Sequence, residues 1–98
     1  MEFKDVDPKY AKLVEVFEMA YERAAIGKGH QRHSLGEPFE EQMICRGPRI
    51  FGVGALLYQV YKKTEEVMKL ESLEAKSNEL LDIINYTAAA IIVLNERK

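Results

Sequence analysis

The sequence predicts an all-α protein in which three long helices and one short helix form a single domain over residues 1–98. The chain has 98 residues, which leaves room for one domain only. Apolar residues make up 47% and charged residues 31%, a balance typical of soluble globular proteins. Apolar residues also recur at steps of three and four along the chain, which is the period of an amphipathic helix. We expect the helices to assemble into an oligomer that resembles a four-helix bundle.

The first helix is predicted to begin at Asp7 and Pro8. Aspartate can accept hydrogen bonds from the free amides at a helix start, and proline at the first helical position needs no amide hydrogen. The helix ends at Gly27 after about five turns. Charged residues, Arg23 among them, fill the positions between the apolar ones, which are Tyr10, Leu13, Val14, Phe17, Ala20, Tyr21, Ala24 and Ala25.

The middle of the chain is predicted to hold the short helix and the second long one. The short helix covers Phe39 to Cys45, and Gly47-Pro48 then breaks the chain. Pro48 opens the next helix, over residues 48–70. Within it, Gly52 and Gly54 would permit the close approach of another backbone.

The last helix is predicted to begin near Ser72 or Ser77 and to end near Asn95. Between Leu80 and Leu94 it is nearly all apolar, and this run of 15 residues contains an acid. Such a run is too short for a bilayer, which needs about 20 residues, so no membrane is expected. One small chain cannot surround so apolar a helix. We therefore expect a homodimer or homotetramer in which it packs across a two-fold axis.

Charge and cysteine content exclude several classes of protein. The net charge is −2 and the isoelectric point is near 5.7, so there is no direct signal for nucleic-acid binding. A single cysteine, Cys45, cannot form an internal disulfide and suits a reducing compartment. Residues 1–8 carry three acids and no apolar run, which is unlike a signal peptide. We expect a cytoplasmic protein.

The first candidate site lies on the last helix, at Glu79 and Asp82. Residues three positions apart leave a helix on the same side, and Asn85 and Tyr86 project from the same arc. Two carboxylates so placed can hold a hard cation such as Mg²⁺, which in turn binds substrate phosphates. Alternatively, the pair complements the helix dipole and stays solvated. In both cases the carboxylates are expected on a polar rim of the bundle.

A second polar stripe, with Lys62, Lys63 and Glu66, lies on the preceding helix. If the two helices pack antiparallel, this stripe meets the carboxylates and forms a site for a phosphorylated, metal-bound ligand. The alternative is ordinary ion pairing on the surface, of Lys62 with the glutamates one turn away.

A third candidate is the polar loop over residues 27–37. Its glycines and its basic side chains, Lys28 and Arg32 with His30 and His33, could close over phosphates. The alternative is a flexible surface loop. Zinc binding by the histidines with Cys45 lacks a fourth ligand and a known spacing, so Cys45 is expected to be a buried thiol.

The segment from Tyr61 to Asn95 resembles the MazG-like all-α nucleoside triphosphate pyrophosphohydrolases. The residues that carry the likeness are Lys62-Lys63, Glu66, the run from Glu79 to Tyr86 and the tail rich in alanine and isoleucine. The chain looks most similar to small phage-type relatives associated with nucleotide modification, which implies a bacterial cytoplasm if the gene is phage-encoded. The family folds as helical bundles that form dimers or tetramers.

This resemblance implies Mg²⁺-dependent hydrolysis of a (deoxy)nucleoside triphosphate to a monophosphate and pyrophosphate. Glu66, Glu79 and Asp82 would hold the metal and act in catalysis. The substrate would be bound by Lys28, Arg32, Lys62, Lys63, Asn85 and Tyr86.

The chain departs from the family where Lys63 stands in place of the first metal-binding glutamate. Three functions therefore remain open: the pyrophosphohydrolase, a binding module in which the lysine replaces the cation and a nucleotide binds without hydrolysis, and a purely structural helical oligomer.

Overall fold

The computed structural model describes residues 6–26 and 36–96, and its regular elements there are all helical. The helices are α1 (Ala11–Ala25), α2 (Met43–Phe51), α3 (Gly54–Val67) and α4 (Leu73–Asn95). Single 3-10 turns, Pro8–Tyr10 and Phe39–Glu41, precede α1 and α2. The predicted all-α fold, with three long helices and one short one, is confirmed.

The start of the first helical segment matches the sequence prediction. The Asp7 side chain accepts a hydrogen bond from the Lys9 amide at 2.9 Å, and its carbonyl accepts one from the Tyr10 amide at 2.9 Å. These bonds form the 3-10 turn that leads into α1, with Pro8 at its first position. The predicted end of α1 at Gly27 lies outside the described residues.

The predicted break at Gly47-Pro48 is wrong. Helix α2 runs through both residues, and Pro48 is buried in it although it cannot donate a hydrogen bond to the carbonyl of Ile44. Packing of the buried proline outweighs that loss. The chain breaks instead at Gly52, whose φ of 88° favours glycine, and its amide donates to the Pro48 carbonyl at 2.8 Å. The predicted close approach at Gly52 and Gly54 is also wrong, since a Cβ on either would meet nothing within 4 Å.

Helix α4 forms the centre of the described structure, because α1, α2 and α3 all pack against it. Cys45 is fully buried in the core, as the sequence predicted, and burial raises the pKa of its thiol. By contrast, Ala20 is the single buried residue of α1. The core consists of Ile44, Cys45, Leu56, Tyr86, Ala89, Ala90 and Val93.

One side of α4 has no neighbour among the described residues. Leu80, Ile91 and Leu94 are each about half exposed, although they belong to the most apolar part of the sequence. The described part of the chain therefore does not surround this helix. By length and composition α4 would also be able to cross a membrane, a test that core helices of soluble proteins pass as well.

Candidate functional site

Four charged side chains from three helices meet where α1 and α3 pack against α4. We call Arg23, Lys63, Glu79 and Asp82 the charged cluster. Lys63 Nζ lies 3.1 Å from Glu79 Oε1 and 3.2 Å from Asp82 Oδ2. Arg23 donates from Nε to Asp82 Oδ1 at 2.5 Å and from Nη2 to Asp82 Oδ2 at 3.2 Å. Asp82 is thus held between two cations.

The hairpin of α3 and α4 explains how Lys63 reaches the carboxylates. Residues 68–72 join the two helices, so the end of α3 faces the beginning of α4. Ser72 begins α4, since its side chain accepts a hydrogen bond from the Ala75 amide at 3.0 Å. The predicted meeting of the two polar stripes therefore occurs, but through Lys63 alone.

Asp82 and Lys63 are the buried members of the cluster, and their pKa values reflect both burial and pairing. Asp82 is 7% exposed and Lys63 is 8% exposed. Burial by itself would raise the pKa of Asp82, but the hydrogen bonds and charges of Arg23 and Lys63 outweigh it and lower that pKa. Burial would lower the pKa of Lys63, but Glu79 and Asp82 outweigh it and raise that pKa. Both groups are therefore ionised at neutral pH.

These positions overturn the expectation that Glu79 and Asp82 lie on a polar rim. Asp82 faces into the bundle because two cations from other helices compensate its charge there. The polar stripe on α3 is also split, because Lys63 is buried whereas the other two predicted site residues of the stripe are exposed. Lys62 is exposed, with its ammonium 5.7 Å from the centre of the Tyr58 ring, and Glu66 is exposed too.

The arrangement does not fit the Mg²⁺ site that the resemblance implies. Glu79 and Asp82 lie together, but the Lys63 ammonium occupies the position between them. Among the described residues, no three His, Cys, Asp or Glu side chains are grouped as a metal site would require. One atom stands apart: Glu79 Oε2 is buried and has no hydrogen-bond partner.

Asn85 and Tyr86, two predicted substrate-binding residues, have different surroundings. Asn85 Nδ2 donates to the Ala20 carbonyl at 2.9 Å and so ties α4 to α1. Tyr86 is buried, and its ring centre lies 6.0 Å from Lys63 Nζ, where it supports the ammonium. Asn85, in contrast, borders an open cavity.

The cavity has a volume of about 620 Å³ and lies between α1, the segment over residues 36–42 and α4. Cavities of this size are typical of small-molecule sites. Most of its wall is aliphatic or aromatic, and the polar residues in it include two amides and one acid. The described lining residues are Phe17, Ala20, Tyr21, Ala24, Ala25, Gly36, Glu37, Phe39, Gln42, Ile84, Asn85, Ala88 and Ile92.

The cavity and the charged cluster share the interface between α1 and α4. Ala20 and Ala24, which line the cavity, lie on either side of Arg23 in the sequence of α1. On α4, Asn85 lines the cavity one helical turn after Asp82. The two features therefore adjoin each other, with lining residues on both sides of Arg23 in α1 and about one turn after Asp82 in α4.

Two residues of the site, Arg23 and Gln42, were not predicted from the sequence. Some of the predicted site residues lie where the structure does not describe the chain. Alanines around Arg23 were the available signal, because small residues let one helix approach another closely. No signal pointed to Gln42. The predicted phosphate-binding residues Lys28 and Arg32, with the histidines of the same loop, lie outside the described residues.

Comparison of the chain with protein-family models, with curated proteins and with solved structures finds no match. The likeness to the MazG-like pyrophosphohydrolases thus rests on the motif residues themselves, of which Glu79 and Asp82 lie together in the charged cluster.

Proposed function

We propose that the protein is a nucleotide-binding module that does not hydrolyse its ligand, built on a self-associating helical bundle. The observation that carries this proposal is the cavity of about 620 Å³ that adjoins the charged cluster at the interface of α1 and α4. The nucleotide is the ligand class that the motif residues imply. Lys63 explains the absence of hydrolysis, since its ammonium takes the position of the cation.

The walls of the cavity suit a nucleoside. Phe17, Tyr21 and Phe39 supply aromatic surface on which a base can stack, and base stacking on aromatic side chains contributes about 1–3 kcal/mol. Gln42 and Asn85 supply hydrogen-bonding groups at the same wall. A mainly apolar cavity with a few fixed polar groups is typical of ligand sites.

The phosphates would lie outside the described lining. No lysine or arginine is among the described residues that line the cavity, and the cations of the cluster are already paired with carboxylates. Lys62, which is exposed, and Lys28 and Arg32 remain the proposed phosphate contacts on the strength of the resemblance. The base would then contribute more of the affinity than the phosphates do.

The experiment is a thermal-stability series with the four deoxynucleoside triphosphates, with and without Mg²⁺, in which pyrophosphate release is followed in the same samples. A ligand at 100 times its Kd stabilises the protein by about 2.7 kcal/mol, which raises the Tm of a domain this size by several degrees. A rise without pyrophosphate release supports the module. Unchanged Tm with every nucleotide would refute nucleotide binding and leave a structural oligomer.

A second candidate is the Mg²⁺-dependent nucleoside triphosphate pyrophosphohydrolase, with Glu66, Glu79 and Asp82 as metal ligands. The observation in its favour is Glu79 Oε2, a buried carboxylate oxygen without a hydrogen-bond partner. For Mg²⁺ to bind there, the Lys63 ammonium must leave both carboxylates. Pyrophosphate release by the wild-type protein would establish this candidate in place of the module.

The Lys63→Glu variant separates the two candidates further. It supplies the carboxylate that the family places at this position, so Mg²⁺ should raise the Tm of the variant and leave that of the wild type unchanged. Lys62→Glu is the matched control, because Lys62 is exposed and outside the charged cluster. An equal Mg²⁺ response in wild type and variant would show that Lys63 does not replace the cation.

Self-association is the second part of the proposal, as a homodimer or homotetramer formed by the outward face of α4. Its residues Leu80, Thr87, Ile91 and Leu94 follow one another at steps of seven, four and three, so they form one stripe. None of them is charged, so a second copy can present the same stripe without like charges facing each other. Burying this stripe removes Leu80, Ile91 and Leu94 from water, three of the four large apolar side chains of α4 that are exposed.

A further inference from the structure

The amides at the wall of the cavity are held by their nitrogens. Asn85 Nδ2 donates to the Ala20 carbonyl at 2.9 Å, and Gln42 Nε2 donates to the Glu37 carbonyl at 3.1 Å. These bonds fix the orientation of both amide groups. Each amide oxygen therefore points away from the backbone carbonyl that its nitrogen contacts.

Neither amide oxygen has a hydrogen-bond partner among the described residues. Among the described residues, Glu79 Oε2 is the single fully buried side-chain nitrogen or oxygen atom that has no hydrogen-bond partner. The two amide oxygens are therefore at least partly accessible. Since Gln42 and Asn85 both line the cavity, their oxygens are available to a ligand there.

The described lining of the cavity also contains an acidic residue and no basic one. Glu37 adds a carboxylate, and no lysine or arginine is present among the described lining residues. A wall that presents amide oxygens matches ligand groups that donate hydrogen bonds. The aromatic residues Phe17, Tyr21 and Phe39 favour a flat ring.

We propose that the cavity selects nucleobases that carry an exocyclic amino group over bases that lack one. This inference rests on the proposed nucleotide binding and names the specificity of that site. An amino group donates to the oxygen of Gln42 or Asn85. A base without the amino group has a carbonyl there, as at C4 of thymine, or a carbon-bound hydrogen, as at C2 of hypoxanthine, and neither of these donates that hydrogen bond.

The test measures the Kd of the wild-type protein for dGTP, dATP, dCTP, dITP and dTTP by calorimetry, with a chelator present so that every nucleotide stays intact. The pair dGTP and dITP differs only in the 2-amino group, which makes it a matched comparison. We expect the three amino-bearing nucleotides to bind about tenfold or more tightly than dITP and dTTP, as for the loss of one buried hydrogen bond.

Variants then assign the selectivity to residues. Gln42→Leu and Asn85→Leu should weaken binding of the amino-bearing nucleotides towards the level of dTTP. Gln59→Leu is the matched control, since Gln59 is on α3 and does not line the cavity. Circular dichroism confirms that each variant is folded, and the wild-type comparison stands without any variant.

Each result decides between the two proposals. Equal affinities for all five nucleotides, or a preference for dTTP, overturn the amino-group selectivity while nucleotide binding stands. Selectivity that survives both leucine variants overturns the assignment to Gln42 and Asn85. Absence of binding by every nucleotide overturns both the selectivity and the proposed function.

Discussion

Arg23 and Asp82 are 59 positions apart in the sequence, yet two hydrogen bonds join their side chains across the interface of α1 and α4. Such a bidentate pair between guanidinium and carboxylate is geometrically specific. Besides this pair, helix α1 is held to α4 by the hydrogen bond from Asn85 to the Ala20 carbonyl, and Ala20 is the single buried residue of α1. The pair therefore positions α1, and with it one wall of the cavity.

Arg23→Met should destabilise the protein by about 2–3 kcal/mol, because it leaves a buried carboxylate with one cation in place of two. Methionine keeps the apolar volume of the side chain, so the loss reports on the charge. Urea unfolding followed by circular dichroism measures the effect. Arg46→Met is the control, since Arg46 is exposed on α2. Equal losses from both variants would contradict the role given to the Arg23–Asp82 pair.

Stability should fall at low pH because of Asp82. Its pKa is lowered in the folded protein, so the unfolded chain binds the proton more strongly. The stabilisation is present above the unfolded pKa of about 4 and is lost as the pH falls through the lower folded value. Asp82→Asn should therefore flatten the acid limb of a stability profile below about pH 4.

The alkaline limb should reflect Lys63, whose pKa is raised. Its stabilisation is present below the unfolded pKa of about 10.4 and is lost as the pH rises through the higher folded value. Lys63→Met should flatten this limb.

The control for Asp82→Asn is Glu66→Gln, which changes an exposed carboxylate on α3 and should leave the acid limb as in the wild type. An acid limb unchanged by Asp82→Asn would show that another group causes it.

The sequence predicted the position of Lys63 beside the carboxylates but not that of Arg23. The spacing of Glu79 and Asp82 predicted that both carboxylates share one helix side, and the hairpin brought Lys63 to them as expected. The periodicity of α1 places Arg23 only among the charged positions between the apolar ones, because helical periodicity describes one helix and not its partner. Only tertiary packing reveals that a charge on α1 compensates a buried charge on α4.

The break between α2 and α3 shows a similar limit for the fold. Local preference favoured a break before Pro48, since proline disrupts a helix interior. Burial of Pro48 in the packed structure overrode that preference, and the break moved to Gly52, where the backbone adopts a positive φ. The sequence contained both signals, but only the packing decides which of them ends the helix.

The pair formed by Arg49 and Glu96 should behave differently from the charged cluster. Arg49 donates to Glu96 at 2.8 Å and 2.6 Å and to the Glu40 carbonyl at 2.6 Å, which ties α2 to the end of α4. Because this pair is exposed, salt should screen it. Arg49→Met should lower the Tm in dilute buffer, and about 1 M salt should remove most of the difference. The Tm difference caused by Arg23→Met should persist at that salt concentration, and its disappearance would contradict the burial of the cluster.

Ile91→Asp tests the proposed self-association through the outward face of α4. Ile91 is 54% exposed in the single chain, so an aspartate there is hydrated in the monomer and costs little stability. In an oligomer that buries this face, the same carboxylate is desolvated without a partner, which destabilises the contact strongly. Light scattering after size-exclusion chromatography should show an oligomer for the wild type and a monomer for the variant.

Ile50→Asp is the matched control, since Ile50 is 75% exposed on α2 and lies outside the α4 stripe. It should leave the oligomer intact. An oligomer that persists in Ile91→Asp would move the contact away from this face of α4. A monomeric wild type would overturn self-association altogether. If that monomer floats with phosphatidylcholine vesicles, the face is assigned to a membrane, because an uncharged apolar stripe buries equally well in lipid.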